Sequence, residues 1–257
     1  MIAAYLFLLA QSAPAAGLAP VPEHLLRFSY QAGSQQRVSI DASYQTKSIA
    51  TSRVSLTLLR KVLEVKGERA HIEMKLETLS FGADDPRNAI FDRLSGAAWR
   101  GWVDERGRFE ALTLVPPNKT PALLHPLIKR LSRLLPGRVI PLPEHALRVG
   151  DDWQISAKDL AASPDGSWAK AASGGLTCTL LSATERRAHI ALKLDSPVDD
   201  KRRQTGTGSL VLDLRSGSVE SFKMNSVLHM KTTIAGDTKP IALEQTYRLT
   251  SHPGAQL

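Results

Sequence analysis

Few residues of this chain have the types and spacing that chemistry needs. Two histidines, His71 and His189, fall on the polar faces of two strand-like segments that resemble each other. Were those strands neighbours, two imidazoles could begin a tetrahedral metal site, but no cysteine or carboxylate cluster completes a ligand set. Glu, Lys and Asp share the same faces, and a repeated surface histidine accounts for the pattern. The carboxylate pairs Asp84-Asp85 and Asp199-Asp200 sit in loops, where capping and solvation explain them. Cys178 is the only cysteine, which excludes an intramolecular disulfide. It lies in the alternating run Leu176-Thr177-Cys178-Thr179-Leu180 and reads as a small buried residue. A nucleophile would want a histidine and an electropositive pocket, and nothing local supplies them. Thr205-Gly206-Thr207-Gly208 is glycine-rich but precedes the strand-like run Leu210–Leu214. A phosphate loop needs a helix N-terminus after it, so the stretch is expected to be a turn or strand edge. H-E-x-x-H, P-loop, C-x-x-C and G-x-S-x-G patterns are all missing. The expectation is therefore no catalytic residue, no metal and no cofactor.

The elements that would position any site are mainly strands. Val38, Ile40, Ala42 and Tyr44 alternate with polar residues, as a half-buried strand does. Val54, Leu56 and Leu58 continue the theme. The phase then slips at Leu58-Leu59, putting Leu59, Leu63 and Val65 on one face, and a β-bulge would produce that slip. Ala70, Ile72, Met74 and Leu76 face one way while His71, Glu73, Lys75 and Glu77 face the other, with Lys66-Gly67-Glu68 as the preceding hairpin turn. From Val219 to Ile234, Phe222, Met224, Leu228, Met230 and Ile234 share a face. Such a length exceeds the ~5–6 residues of an ordinary strand and favours a strongly curved sheet. Ile241, Leu243, Tyr247 and Leu249 form a last half-buried strand.

The chain repeats itself. Arg69–Glu77 (RAHIEMKLE) and Arg187–Asp195 (RAHIALKLD) agree at six of nine positions. Val103–Glu110 resembles Leu212–Glu220 with one extra residue in the turn, in the same order and at similar spacing. An internal duplication accounts for both matches, with halves at about 36–116 and 174–250. Between them Leu123, Leu124, Leu127, Ile128, Leu131, Leu134 and Leu135 recur at helical spacing, predicting an amphipathic helix over about 121–136 that ends at Pro136-Gly137. Burying seven such side chains is worth roughly 10–20 kcal/mol as an upper bound. That face must therefore be covered, most simply by the sheet, although Lys129, Arg130 and Arg133 opposite also suit a membrane surface. A shorter helix is expected from Pro86 to Leu94.

Residues 1–19 read as a signal peptide and linker. Ile2–Ala10 is an apolar run and Ala13-Pro14-Ala15 an A-x-A-like cleavage site, although no Lys or Arg precedes the run. Residues 20–257 are expected to be one β-rich domain, exported to a bacterial periplasm or outside the cell. The formal charge of +8 arises from 33 basic and 25 acidic residues. In an exported protein that charge suits an anionic membrane surface or an acidic envelope polymer, or simply keeps the protein soluble, and nucleic acid is not expected as a partner.

The segment Leu142-Pro143-Glu144-His145-Ala146-Leu147-Arg148-Val149-Gly150-Asp151-Asp152-Trp153 resembles the L-P-x-x-x-V-x-V-G-D-x-W stretch of a family of uncharacterised exported bacterial β proteins, with Leu147 in place of the usual Val. That resemblance implies export and architecture, and no chemistry. The whole is expected to be mainly β (β-rich α+β): a curved antiparallel sheet or half-barrel with internal duplication and one covering amphipathic helix. Such an architecture resembles the half-barrels of bacterial lipoprotein-carrier and lipid-carrier proteins, whose apolar concave faces hold acyl chains. By that analogy the expected function is binding or carrying a lipid or other apolar ligand, lined by Leu124, Leu127, Ile128, Leu131, Met224 and Leu228. Two other classes stay open: an envelope interaction or scaffold module with a filled core, and an enzyme whose site is assembled from distant residues. Oligomeric state and strand order are not legible.

Overall fold

Eleven strands form one continuous antiparallel sheet in the computed structural model, which describes residues 22–46, 49–82, 85–86, 88–110, 113–115, 140–156, 175–199, 202–234 and 237–253. In chain order they are β1 (Gln35–Thr46), β2 (Ile49–Lys66), β3 (Arg69–Ser80), β4 (Ala98–Asp104), β5 (Thr113–Val115), β6 (Asp152–Ser156), β7 (Gly175–Ala183), β8 (Arg187–Asp199), β9 (Arg202–Asp213), β10 (Ser218–Ile234) and β11 (Asp237–Pro253). Their order across the sheet is β5-β4-β3-β2-β1-β11-β10-β9-β8-β7-β6. The sheet is therefore two meanders, joined where β1 pairs with β11 and left unclosed between β5 and β6. A short helix, α1 (Asn88–Phe91), runs into a 3-10 turn (Asp92–Leu94), within the Pro86–Leu94 stretch that the sequence assigns to a helix. Among the described residues no helix is long and apolar enough to cross a membrane. The expected helix at 121–136 and the expected signal peptide lie outside the described residues.

The sheet is tightly curled at one end. The strands β4 and β9 are six places apart, roughly 29 Å along a sheet with ~4.8 Å between strands. Yet the adjacent residues Phe28 and Ser29 donate their backbone N–H groups to Glu105 O at 2.7 Å and Leu214 O at 2.8 Å, carbonyls that follow β4 and β9 directly. Those two carbonyls therefore lie within about 10 Å of each other through space. The extended segment around Phe28 clasps the two meanders into the pinched end of a half-barrel. Tyr30 reinforces the clasp through a hydrogen bond from its hydroxyl to Asp104 O at 3.0 Å. The L-P…V-G-D-x-W segment plugs the same end. Leu142 and Leu147 are fully buried with Leu26 and Phe28, and Trp153, the second residue of β6, donates its indole N–H to Pro141 O at 3.2 Å. Asp151 accepts the Arg148 N–H on its side chain at 2.8 Å, closing a turn in which Gly150 adopts φ +97°.

The two meanders share details of register. In β2 an extra residue, Leu63, stands between Val62↔Ile72 and Glu64↔His71; in β7 the extra residue is Leu181, between Leu180↔Ile190 and Ser182↔His189. Arg69 pairs with Asp104 and Arg187 with Asp213, and each aspartate accepts backbone N–H groups of the turn that follows it. His71 and His189 occupy β3 and β8, six places apart, and alternate with the buried Ala70, Ile72, Ala188 and Ile190, so each points to the outer face, away from the concavity that brings the meanders together.

Two sequence expectations are corrected here. A bulge does lie beside Leu58, but its extra residue is Glu77 of β3; in this stretch β2 itself slips only at Leu63, and Leu56, Leu58, Arg60 and Val62 keep one phase, which puts an arginine on the inner face. Thr205-Gly206-Thr207-Gly208 is neither turn nor edge. It is the middle of β9, flanked by β8 and β10. Glycine is required there because a Cβ on Gly208 would stand 2.3 Å from Lys223 O, and one on Gly206 2.6 Å from Asn225 O. The backbones approach too closely for a side chain, as happens where a sheet bends sharply.

Candidate functional site: the concave face

Alternate residues of every long strand point into the concavity. At the pinched half the inner face is dry: Ile190, Leu192, Leu210 and Leu212 on one meander, and Leu58, Ile72, Met74 and Trp99 on the other, are all nearly inaccessible to water. Met224 is buried in this part, opposite Gly208, whose missing side chain leaves room for the thioether. Phe222 and Tyr247 pack edge to face, 5.6 Å between ring centroids, where the two meanders meet. Burial pushes the Tyr247 hydroxyl well above the ordinary phenol range. The Cys178 thiol lies in the same core and is pushed up to about 12, first by burial and then by Asp152, which is the opposite of what a nucleophilic thiolate needs.

Towards the wide end a polar band crosses the concavity. Gln204 on β9 donates to Ser226 Oγ at 3.1 Å and to Gln245 Oε1 at 3.0 Å, joining three strands. Ser196, the register partner of Gln204 on β8, is fully buried, and among the described residues its hydroxyl has no hydrogen-bond partner. Beyond the band the surface turns apolar again. Leu228 pairs with Leu243 and Met230 with Ile241, and these four side chains are only half-buried. Here, among the described residues, β10 and β11 run past their neighbours: pairing with β9 reaches Met230 and with β1 Glu244, while the hairpin continues to Ile234↔Asp237.

A second polar group lies at the pinched end. Arg60 reaches from β2 to Gly217 O at 2.9 Å, with its guanidinium carbon 5.7 Å from the Tyr30 ring centroid. Gln36, its register partner, donates to Ser218 Oγ at 2.9 Å and Ser251 Oγ at 2.7 Å. These groups edge a cavity of about 40 Å³ whose other walls include Val38, Leu58, Met74 and Leu249.

Of the ligand-lining residues expected from sequence, Met224 and Leu228 stand on the inner face of β10, one on each side of the polar band. Leu124, Leu127, Ile128 and Leu131 lie outside the described residues. Sequence reasoning missed Arg60, Gln36, Ser196, Gln204, Ser226 and Gln245. For Arg60 a signal existed, since strict alternation from Leu56 through Val62 places it at a buried phase. The polar band had none, because it forms only when three strands meet in register.

No family model matches the chain, and no curated protein matches it in sequence. Among solved structures, the chain is similar to a DUF1329 family protein from Desulfovibrio piger, at 9% identity with 88% of each chain covered and a TM-score of 0.27. It is similar to a LolA superfamily protein from Nitrosomonas europaea at 10% identity, with 89% of each chain covered and a TM-score of 0.24. Similarity in fold is greater to a structure of lipid–protein interactions in lipovitellin: TM-score 0.54 at 10% identity, over 89% of this chain and 26% of that one. This chain thus spans about a quarter of the length of that protein, and what the two have in common is a fold.

Proposed function

We propose that this protein binds, and carries, a lipid or another apolar ligand on the concave face of its half-barrel. The observation that supports this reading best is the half-buried apolar patch of Leu228, Met230, Ile241 and Leu243 at the wide end. It extends an apolar interior outward on two long strands, β10 and β11, and a partly exposed apolar patch rimmed by polar groups marks a binding surface. A flexible floor favours such a role, since Met224 over Gly208 can re-pack around a ligand in a way a branched side chain cannot. The fold shared with a lipovitellin structure that concerns lipid–protein interactions points the same way. In this reading Leu124, Leu127, Ile128 and Leu131, on the amphipathic stretch 121–136, cover the ligand. The two meanders are halves of one duplicated unit within a single domain, a reading supported by the repeated bulge and the repeated aspartate turn. The protein works outside the cytoplasm of a bacterium, as the signal-like residues 1–19 suggest.

Native mass spectrometry of the protein recovered from a bacterial periplasm, followed by organic extraction, tests this directly. A bound lipid in stoichiometric amount is expected, and Leu228→Asp should lose it while its circular dichroism spectrum stays that of a folded β protein. A clean ligand-free mass, with no uptake of added phospholipid or fatty acid, would overturn the reading.

A further inference from the structure

Arg60 is the one inner-face charge at the pinched cavity, and among the described residues it has no carboxylate partner. Its interactions are the carbonyl of Gly217 and the face of Tyr30. The ring itself stays neutral, since burial raises the Tyr30 hydroxyl above its ordinary range. Burial also disfavours the charged form of Arg60, pulling it below the usual guanidinium value. Other arginines are satisfied differently. Arg27, Arg37, Arg100 and Arg203 each hold a carboxylate at 3.0 Å or less. A guanidinium carries five donors, and a partly buried one without a counter-charge is the exception that calls for an explanation.

The cavity beside it supplies one. Its polar side is Arg60 with Gln36 and Ser218, and its apolar side is Val38, Leu58, Met74 and Leu249. About 40 Å³ is more than a single water needs and suits a head group of a few heavy atoms. The remaining polar partners are neutral, so the site's only fixed charge is positive. We propose that this cavity takes the carboxylate of an aliphatic acid, held by the planar fork of Arg60 in the bidentate manner that guanidinium and carboxylate favour. The aliphatic part of the acid lies against the apolar wall. This inference deepens the lipid-binding reading above and rests on it for the identity of the tail, but not for the anion site.

Binding of decanoate, 1-decanol and acetate to the full chain, measured by calorimetry at pH 7.5, tests the proposal and separates it from the broader reading. The wild-type protein should bind decanoate at least about tenfold more tightly than decanol, the margin expected of one charge-assisted contact. Arg60→Met should lose that preference and bind decanol as before, and Arg60→Lys, which keeps the charge without the fork, should keep part of it. Thermal melting of both variants separates loss of the site from loss of the fold. Equal affinity for acid and alcohol, or a preference that survives in a folded Arg60→Met, overturns the anion site and leaves lipid binding intact. Acetate bound in an Arg60-dependent way with no decanol binding supports the anion site and counts against a lipid tail. No binding of any of the three overturns both.

Discussion

Where β4 carries Trp99, β9 carries Gly208. The two positions correspond: each faces a residue of the repeated segment, Met74 in one meander and Leu192 in the other, and each stands five residues before the aspartate that begins the turn. In the first meander the inner space is filled by an indole of the strand itself, fully buried, with its N–H unpartnered among the described residues. In the second it is filled from the next strand by Met224, whose sulfur would stand 3.2 Å from any Cβ placed on Gly208. One frame thus holds two kinds of interior. A large rigid ring makes the first meander a packed wall. A glycine floor under a flexible thioether, followed by the band of Gln204, Ser226 and Gln245, makes the second a surface that can rearrange. The wide-end surface of the proposed carrier belongs to the second meander, whereas the Arg60 cavity is walled mainly by the first.

Stability measurements can break this contrast. Trp99→Ala should cost about 3–5 kcal/mol in urea unfolding, as removal of a buried aromatic does. Gly208→Ala should cost less, about 1–3 kcal/mol, because the new methyl meets the fixed carbonyl of Lys223 and pushes β9 from β10. If the glycine substitution proves the costlier, then the close approach of β9 and β10 holds the curvature of the sheet. The second meander would in that case be the rigid one.

The polar band gives a finer test. Gln204→Ala removes two hydrogen bonds and leaves Ser226 and Gln245 with only their long mutual contact at 3.4 Å, for a cost of about 1–3 kcal/mol. Ser196→Ala should do the reverse: among the described residues its buried hydroxyl has no partner to lose, so the folded state gains, by about 1 kcal/mol. A loss of stability in Ser196→Ala would mean that the hydroxyl is satisfied in solution, by water or by ligand, and would move the binding surface inward from Leu228 to Ser196.

These contrasts separate what a sequence carries from what only register creates. Alternation is local, so the strands around Ala70–Leu76, Ala188–Leu194 and Phe222–Met230 were legible, and the length of the last pointed to curvature. The nine-residue match placed His71 and His189 on equivalent strands, but strand order is not local, and it set them six places apart. Thr205–Gly208 reads as a turn or strand edge because it precedes a strand-like run with no helix after it; the reason for its glycines lies in Lys223 and Asn225 of the neighbouring strand. Arg60 concealed the true phase of β2, because a charge at an inner position looks like a slip. Of the expected ligand-lining residues, those on β10 could be placed on the concave face because strand periodicity alone fixes the side they occupy.

The smallest effect lies on the outer face, where the repeat places equivalent carboxylates, Glu77 and Asp195. Each accepts two hydrogen bonds from one arginine, but from different places. Arg37 reaches Glu77 across β2 at 2.7 and 3.1 Å, and Arg203 reaches Asp195 from adjacent β9 at 2.8 and 3.0 Å. The arginine hydrogen bond holds both carboxyls below their ordinary values. A depressed folded value means that the stabilisation is complete above the unfolded pKa, about 4.3 for Glu and 3.9 for Asp, and is lost as pH falls through the folded value. Carboxyl carbon NMR should therefore find both titrating low, and Arg37→Gln or Arg203→Gln should return its own partner upward and leave the other unmoved. Both pairs are exposed enough that the contribution to stability is slight. Salt distinguishes them: Glu77 is 27% exposed and Asp195 49%, so about 1 M salt, with a Debye length near 3 Å, should raise Asp195 more. A Glu77 that moves as far as Asp195 would mean that the longer reach of Arg37 leaves its pair as open to solvent as the other, and that on the outer face the two meanders do not differ.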